Sequence, residues 1–148
     1  LALDKGKGNV AIVRLTKVLS ARTDIVRKFT DNMRRGETVQ AFSDLFISPV
    51  SLKYVVDSLL VVERSRVGGI FHLSGSEEFS YAEFARRLAK KLGVPADLIR
   101  ETTMEESRQT VLYCPRHPTL DMSSTAQSLG LKPEPIDATV ANVLADAY

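Results

Sequence analysis

The sequence has few of the features that mark secreted, membrane or nucleic-acid-binding proteins. Its 148 residues contain one cysteine, Cys114, so no disulfide can form within the chain. It has no hydrophobic run long enough to cross a bilayer and no signal-peptide pattern. Its formal net charge of +2 is too small to favour nucleic acid or a membrane surface. We therefore expect a cytoplasmic protein whose partners include neither nucleic acid nor a membrane.

Three kinds of catalytic or binding motif are missing as well. The chain has no G-x-G-x-x-G or G-x-x-x-x-G-K phosphate loop. It has no G-x-S-x-G elbow, so Ser74 beside Gly75 is more simply explained as a turn residue. Its two histidines and Cys114 lack the spacing of metal ligands. The motifs therefore identify no catalytic residue and no metal site.

The composition is that of one folded domain. Hydrophobic residues make up 44% of the chain and charged residues 26%, the balance of an ordinary globular protein. A chain of 148 residues is long enough to bury a core of its own. We expect residues 1–148 to form a single α/β domain.

The clearest local signal is a strand, a loop and a helix in the middle of the chain. Residues 70–73 (IFHL) form a short apolar run bounded by glycines, which suits an interior strand. Ser80 and Glu83 have the spacing of a capping box, in which each side chain bonds the other residue's amide. The helix that follows ends at Gly93. Loops at the carboxyl end of such strands are common places for ligands.

The first part of the chain predicts another alternation of strand and helix. Residues 10–15 (VAIVRL) are nearly all apolar, which is typical of a strand covered on both faces. Thr23 or Asp24 begins a helix that ends at Gly36. Residues 38–42 alternate weakly and predict a short strand.

A second long helix follows a loop over residues 43–49. Ser51 is its expected cap. Apolar residues recur in it at helical spacing and are expected to face a core. They are Leu52, Val55, Val56, Leu59 and Leu60.

The last third predicts shorter elements. Residues 98–103 suit an edge strand, whereas the residues from Met104 to Tyr113 fit no element clearly. A small helix begins at Ser123 or Ser124, and Asp137 caps the last helix.

Arg116 is the strongest candidate for a binding residue. It lies in a loop stiffened by Pro115 and Pro118, and a planar guanidinium suits bidentate binding of phosphate or carboxylate. A salt bridge is an equally good explanation. His72, inside the apolar strand, is better explained as a buried histidine with one hydrogen bond than as a catalytic group. His117 fits either a ligand contact or simple exposure.

Five segments in a fixed order carry a family resemblance. They are residues 13–18 (VRLTKV), 44–50 (DLFISPV), 69–75 (GIFHLSG), 80–85 (SYAEFA) and 116–121 (RHPTLD). In order and spacing they resemble the carboxyl-terminal half of extended short-chain dehydrogenases. The most similar branch is that of the dTDP-4-dehydrorhamnose reductases and sugar-nucleotide epimerases.

The resemblance implies a Rossmann-like fold, of which this chain supplies the last sheet strands and a small substrate-binding α/β subdomain. The family's cofactor loop and its Tyr-x-x-x-Lys pair lie upstream of the place that matches Leu1. The chain is therefore expected to be a fragment of a larger NAD(P)-binding chain, using NAD or NADP, and to hold no catalytic residue itself. The resemblance implies cofactor contacts at Leu15 and Thr16, and contacts to a nucleotide-diphosphate sugar at Lys17, Ser48, Pro49 and Arg116.

Several alternatives stay open at this point. The parent is expected to be a reductase or an epimerase of nucleotide sugars. A non-catalytic member of the same fold, like the regulatory subunit of methionine adenosyltransferase, is one alternative, and an unrelated α/β ligand-binding or interaction domain is another. A homodimer is open too. Apolar Leu45, Ile47 and Val50 stand where the family often has small or polar residues, which argues for a diverged substrate.

Overall fold

The computed structural model describes residues 10–107 and 115–145, in which strands and helices alternate. Cys114 and Leu1 lie outside these residues, as do residues 108–113 of the segment that the sequence left open. The strands are β1 (Ala11–Leu15), β2 (Val18–Leu19), β3 (Val39–Phe42), β4 (Phe46–Ile47), β5 (Val50–Ser51), β6 (Gly69–Leu73), β7 (Phe79–Ser80) and β8 (Ile99–Thr102). The α-helices are α1 (Asp24–Arg34), α2 (Leu52–Ser65), α3 (Tyr81–Leu92), α4 (Met104–Ser107), α5 (Ser123–Leu129) and α6 (Ile136–Ala145). The predicted α/β class is confirmed.

The described strands associate in four pairs. Three pairs are parallel, namely β1 with β6, β2 with β5, and β3 with β8, while β4 and β7 are antiparallel. In the longest pair Ala11 lies opposite Gly69 and Leu15 opposite Leu73. Parallel strands end at the same edge, so the loops that follow β1 and β6 lie side by side.

The core lies between α1, α3, α6 and β3. In α1 the buried residues Val26, Phe29 and Met33 recur at helical spacing, as the sequence predicts. The cluster also includes Val39 and Ala41 of β3, together with buried side chains of the other elements. Those are Leu19, Ile47, Phe79, Ala82, Phe84, Ala85, Leu88, Ala89, Ile136, Val140 and Val143.

The helix α3 begins and ends where its sequence signals place it. The Ser80 hydroxyl accepts a hydrogen bond from the Glu83 amide at 3.2 Å, and Gly93 closes the helix with φ of 71°. A positive φ at this position is easy for glycine and costly for other residues. The second half of the capping box differs from the prediction, because the Glu83 carboxylate accepts from Arg87 at 2.9 Å.

The helix α2 is correctly predicted, but the expected burial of its apolar residues is wrong. Ser51 caps it by accepting from the Tyr54 amide at 3.1 Å. Of the five apolar residues expected in a core, only Val55 is buried. The other four are 43–47% exposed: Leu52, Val56, Leu59 and Leu60. Helical spacing reveals an apolar stripe, but it does not reveal whether another element covers that stripe.

The strand β1 also differs from its prediction. It was expected to be covered on both faces, yet Leu15 is 40% exposed and Ile70, on the paired strand, is 41% exposed. The side chains of a parallel strand are buried on both faces only where helices pack against the sheet. Among the described elements α5 packs against β6, and no helix makes comparable contact with β1.

Three smaller features complete the comparison with the sequence. The expected loop 43–49 contains the short strand β4, which pairs with β7. Thr23 precedes α1 but makes no side-chain cap, because its hydroxyl accepts from the Ser20 amide at 3.0 Å. Among the described helices none is both long and apolar enough to cross a membrane.

Candidate functional site

The end of β1 and the turn after it hold the two residues expected to contact a cofactor, Leu15 and Thr16. The Thr16 amide donates to the Leu73 carbonyl oxygen at 3.1 Å, which fixes the turn to the end of β6. Within the described residues, the buried Thr16 hydroxyl oxygen has no hydrogen-bond partner. Buried hydroxyls are normally paired, so an unpaired one at this turn is a feature that needs an explanation.

Lys17 extends the turn towards the helix α3. Its ammonium nitrogen lies 5.6 Å from the centroid of the Tyr81 ring, within the range of a cation–π interaction. Its carbonyl oxygen accepts from the Val50 amide at 2.9 Å. The backbone of Lys17 is thus fixed, while its exposed cation lies beside an aromatic ring.

Tyr81 forms one wall of a cleft of about 220 Å³. This volume is below that of a whole drug-sized site, so the cleft suits one part of a ligand, such as a flat ring. Of the three aromatic residues in its lining, Phe29 is fully buried, whereas Phe42 and Tyr81 are only half-buried, and Lys28 and Gln40 provide polar groups. The other lining residues are Ile25, Ala41, Leu45, Thr102 and Ser107.

The side chains of the cleft are placed by the alternation of β3 and by the cap of α3. Val39 is buried and Gln40 is exposed, and successive side chains of a strand point to opposite faces. Gln40 and Phe42 therefore share the face away from Val39. Tyr81 is the first residue of α3, immediately after the capping Ser80.

Sequence reasoning missed this cleft. The alternation in residues 38–42 was visible, and it could have placed Gln40 and Phe42 on the face away from the core. Nothing in the sequence, however, joins them to Ile25, Tyr81 or Thr102, because these residues are brought together only by the fold.

Ser48 and Pro49, expected beside the substrate, are buried against the loop after β6. The Ser48 hydroxyl donates to the Gly75 carbonyl oxygen at 3.2 Å and lies 3.4 Å from the Ser74 hydroxyl. A Cβ on Gly75 would stand 2.7 Å from the Pro49 carbonyl oxygen. The 48–49 segment is therefore a rigid wall, and the Ser48 side chain is already engaged in protein contacts.

A buried glutamate holds this wall from behind. Glu134 is 3% exposed, and its carboxylate accepts from the Ser51 amide at 2.6 Å and the Ser51 hydroxyl at 2.7 Å. Asn142 donates to the same carboxylate at 2.9 Å. Its negative charge also faces the amino end of α2, where the helix dipole favours an anion. The backbone of Glu134 bonds Ser74 and Ser76, so this residue joins three segments of the site.

Arg116 is exposed, in the loop that precedes α5. Within the described residues no ion pair of Arg116 is found, and both explanations of this residue stay open. Downstream of Arg116, the Leu120 amide donates to the Ser74 hydroxyl at 3.1 Å. The loop of Arg116 and the Ser48 wall therefore meet at Ser74.

Glu78 anchors the same loop. Its carboxylate accepts from the Thr119 hydroxyl at 2.7 Å and from the Thr119 amide at 3.3 Å. His117 Nδ1 lies 3.7 Å from the second carboxylate oxygen. The hydrogen bond from the Thr119 hydroxyl is the largest of the effects that lower the pKa of Glu78.

The two histidines have different partners. His72 Nδ1 lies 2.9 Å from the Asp121 carbonyl oxygen, the single hydrogen bond expected from its place in the strand. His117 is exposed, beside Glu78. Among the described residues no three His, Cys, Asp or Glu side chains are grouped as metal ligands.

The match to a known family covers almost the whole chain. The family described as the RmlD substrate binding domain matches residues 2–148. The chain belongs to this family. The match confirms the resemblance that the order of sequence segments indicated.

Individual relatives agree with that assignment. A probable low-salt glycan biosynthesis reductase of Haloferax volcanii is 26% identical over 125 residues, which cover 80% of this chain and 41% of the relative. The dTDP-4-dehydrorhamnose reductase of Bacillus anthracis, solved in complex with NADP, has a TM-score of 0.78 at 14% identity. The UDP-N-acetylglucosamine 4-epimerase of Bacillus cereus has a TM-score of 0.72 at 12% identity.

These structural relatives establish the Rossmann-like reductase and epimerase fold. The chain is covered to 92% and 95% by the two solved structures, but it spans only 48% and 47% of their length. The chain thus corresponds to about half of each relative.

Proposed function

We propose that the chain is the substrate-binding portion of an NAD(P)-dependent sugar-nucleotide reductase or epimerase, similar to dTDP-4-dehydrorhamnose reductase. The observation that carries the proposal is the aromatic cleft beside Lys17, in a member of the RmlD substrate binding domain family. The ligand proposed for this chain is a nucleotide-diphosphate sugar.

The cleft is the proposed place of the nucleobase. A base is a flat ring, and the rings of Phe42 and Tyr81 offer it stacking surface. Gln40 can both donate and accept hydrogen bonds, which suits the polar edge of a base. The cleft of about 220 Å³ has room for a ring system and leaves the rest of a nucleotide sugar outside.

The diphosphate is proposed to contact Lys17 and Arg116. Both side chains are exposed, and hydrogen bonds between cations and phosphate oxygens are stronger than neutral ones. The Arg116 guanidinium can hold two phosphate oxygens at once, whereas Lys17 acts as a single positive charge.

The sugar is proposed to lie against the wall made by Ser48 and Pro49. The Ser48 hydroxyl is engaged with Gly75, so we assign this wall the role of shaping the site rather than of bonding the sugar hydroxyls. Of the apolar residues near this wall, Ile47 and Val50 are buried, so they support the wall and do not contact the sugar. Their apolar character argues for a substrate that differs from the family's usual deoxysugar, so several nucleotide sugars need to be tested.

The cofactor is proposed to approach Leu15 and Thr16. The unpaired, buried Thr16 hydroxyl fits a group that brings its own hydrogen-bond partners, such as the carboxamide of nicotinamide. The exposed Leu15 side chain fits the apolar face of such a ring. When bound, a nicotinamide cofactor supplies the hydride that reduces a sugar carbonyl.

Titration calorimetry and a turnover assay test this proposal on the complete natural protein that carries the chain. We expect saturable binding of dTDP or UDP, and oxidation of NADPH or NADH when a keto-sugar nucleotide is added. Arg116→Ala is expected to weaken diphosphate binding about tenfold or more, while Arg64→Ala, which changes an exposed arginine on α2, leaves it unchanged. A protein that binds neither a nucleoside diphosphate nor a nicotinamide cofactor would contradict the proposal.

A further inference from the structure

Polar contacts join the loop of Arg116 to the connection between β6 and β7. From Pro115 to Leu120 the residues are half-buried or exposed. One of these contacts is the bond from the Leu120 amide to Ser74, and the others converge on Glu78.

Glu78 is placed to hold the loop without neutralising Arg116. One carboxylate oxygen accepts twice from Thr119, at 2.7 Å and 3.3 Å, and the other faces His117 at 3.7 Å. Neither oxygen pairs with Arg116 among the described contacts. The described contacts of the Glu78 carboxylate are thus to Thr119 and His117, the latter next to Arg116 in the chain.

We propose that Glu78 is a positioning residue for Arg116: by holding Thr119 and His117, it keeps the arginine where it meets the diphosphate. This inference rests on the proposed function, because it assumes that Arg116 binds a nucleotide diphosphate. Its physical basis is entropic. A loop fixed before the ligand arrives loses less conformational freedom on binding than a loop that must first be ordered.

The proposal predicts that removing the Glu78 carboxylate weakens diphosphate binding, which is the opposite of what electrostatics alone predicts. Removing a negative charge near a bound anion should strengthen binding, if charge alone matters. If Glu78 positions the loop, Glu78→Ala must weaken binding despite the gain in positive charge. Glu77→Ala is the matched control, because it removes the same charge from the neighbouring exposed position.

Conservative variants separate geometry from charge. In Glu78→Gln the amide oxygen can still accept from Thr119, so this variant should bind as well as the natural protein or better. Thr119→Val removes the donor at 2.7 Å and should resemble Glu78→Ala. It also tests the contact without altering any charge.

The experiment is calorimetric titration of the complete protein and its variants with dTDP and UDP. We expect Glu78→Ala and Thr119→Val each to weaken binding about threefold to tenfold, and Glu78→Gln and Glu77→Ala to leave it unchanged or stronger. In the Arg116→Ala background, Glu78→Ala should have no further effect, since the residue acts through the arginine. Thermal melts identify any variant that fails to fold. If Glu78→Ala fails to fold, Thr119→Val takes its place in the comparison of affinities.

Each outcome decides a different claim. If Glu78→Ala binds as tightly as the natural protein, or weakens binding equally without Arg116, Glu78 does not position the arginine. If the natural protein binds neither diphosphate, the proposed function fails, and the inference fails with it. If the natural protein binds and Arg116→Ala does not weaken it, the arginine is no diphosphate ligand and Glu78 has nothing to position.

Discussion

Gly75 lies so close to Pro49 that no side chain fits between them. A Cβ on Gly75 would stand 2.7 Å from the Pro49 carbonyl oxygen and 2.9 Å from the Ser48 hydroxyl oxygen. This approach brings the loop after β6 against the segment before α2, and it explains why a glycine stands at the end of the strand.

The first prediction is that Gly75→Ala destabilises the fold. The new methyl group meets backbone, which cannot move aside as a flexible side chain can, so we expect a loss of about 1–3 kcal/mol of unfolding free energy. Urea unfolding measures it. Ser76→Ala is the control, because it changes the neighbouring exposed position, where surface substitutions typically change stability by less than about 0.5 kcal/mol. A loss in Gly75→Ala no larger than that in Ser76→Ala would show that the contact with Pro49 is not tight.

The second prediction concerns the buried carboxylate of Glu134. Glu134→Ala leaves the Ser51 amide, the Ser51 hydroxyl and the Asn142 amide without their acceptor, which should cost about 2–4 kcal/mol. Exchanging the two groups in Glu134→Gln with Asn142→Asp keeps one carboxylate and one amide in nearly the same volume. We expect the double variant to recover part of the loss in urea unfolding. No recovery would mean that the carboxylate is required at position 134 itself.

The third prediction concerns the exposed stripe of α2. Val56 and Leu60 are four residues apart, on one face of the helix, and both are 47% exposed. An apolar surface of this kind favours association, so we expect this chain to self-associate as its concentration rises. Val56→Lys with Leu60→Lys should reduce the sedimentation coefficient at high concentration. Val56→Ala with Leu60→Ala is the apolar control, and identical sedimentation of all three proteins would contradict the prediction.

The fourth prediction is a pH dependence that comes from Glu78. Contacts of this carboxylate, chiefly the hydrogen bond from Thr119, lower its pKa in the folded state from an ordinary value of 4.5. A lowered pKa contributes stability above the unfolded value and loses it as the pH falls through the folded value. Thr119→Val should therefore be less stable than the natural sequence at pH 7. The difference in unfolding free energy between the two proteins should become smaller as the pH falls below 4.5.

Urea unfolding at several pH values measures this difference. Thr38→Val, at an exposed threonine, provides the reference for a lost hydroxyl without a carboxylate partner. The prediction is contradicted if the difference in unfolding free energy between Thr119→Val and the natural sequence stays constant from pH 7 to acid pH. The Thr119 hydroxyl would then stabilise the fold independently of the ionisation of Glu78.

Local sequence signals predicted where the helices begin and end better than they predicted what packs against the helices. The start of α3 at Ser80 and its end at Gly93 follow from residues a few positions apart, and such signals can be read from a sequence. The exposed stripe of α2 shows where that reading stops. Leu59 and Val55 look alike in the sequence, but only the assembled fold decides which of them is covered.

The candidate site was predictable only in part, for the same reason. Lys17, Ser48 and Arg116 could be singled out from the resemblance of their segments to a family. The contact of Glu78 with Thr119 joins residues 41 positions apart, and the cleft joins Phe42 to Tyr81 from different elements. The sequence around Glu78 does not indicate a contact with Thr119, and the sequence around Phe42 does not indicate that it shares a cleft with Tyr81.

The most direct test of the account compares two affinities for a nucleotide-diphosphate sugar, that of the complete natural protein and that of its Phe42→Ala variant. Phe42→Ala removes an aromatic wall of the cleft, and losing one base-stacking contact typically costs about 1–3 kcal/mol. The control is Phe46→Ala, which removes an aromatic ring that is 43% exposed and outside the lining of the cleft. We predict calorimetric binding that weakens about tenfold in Phe42→Ala and is unchanged in Phe46→Ala. Absence of binding, or equal affinities in all three proteins, would contradict the assignment of the cleft to the nucleobase.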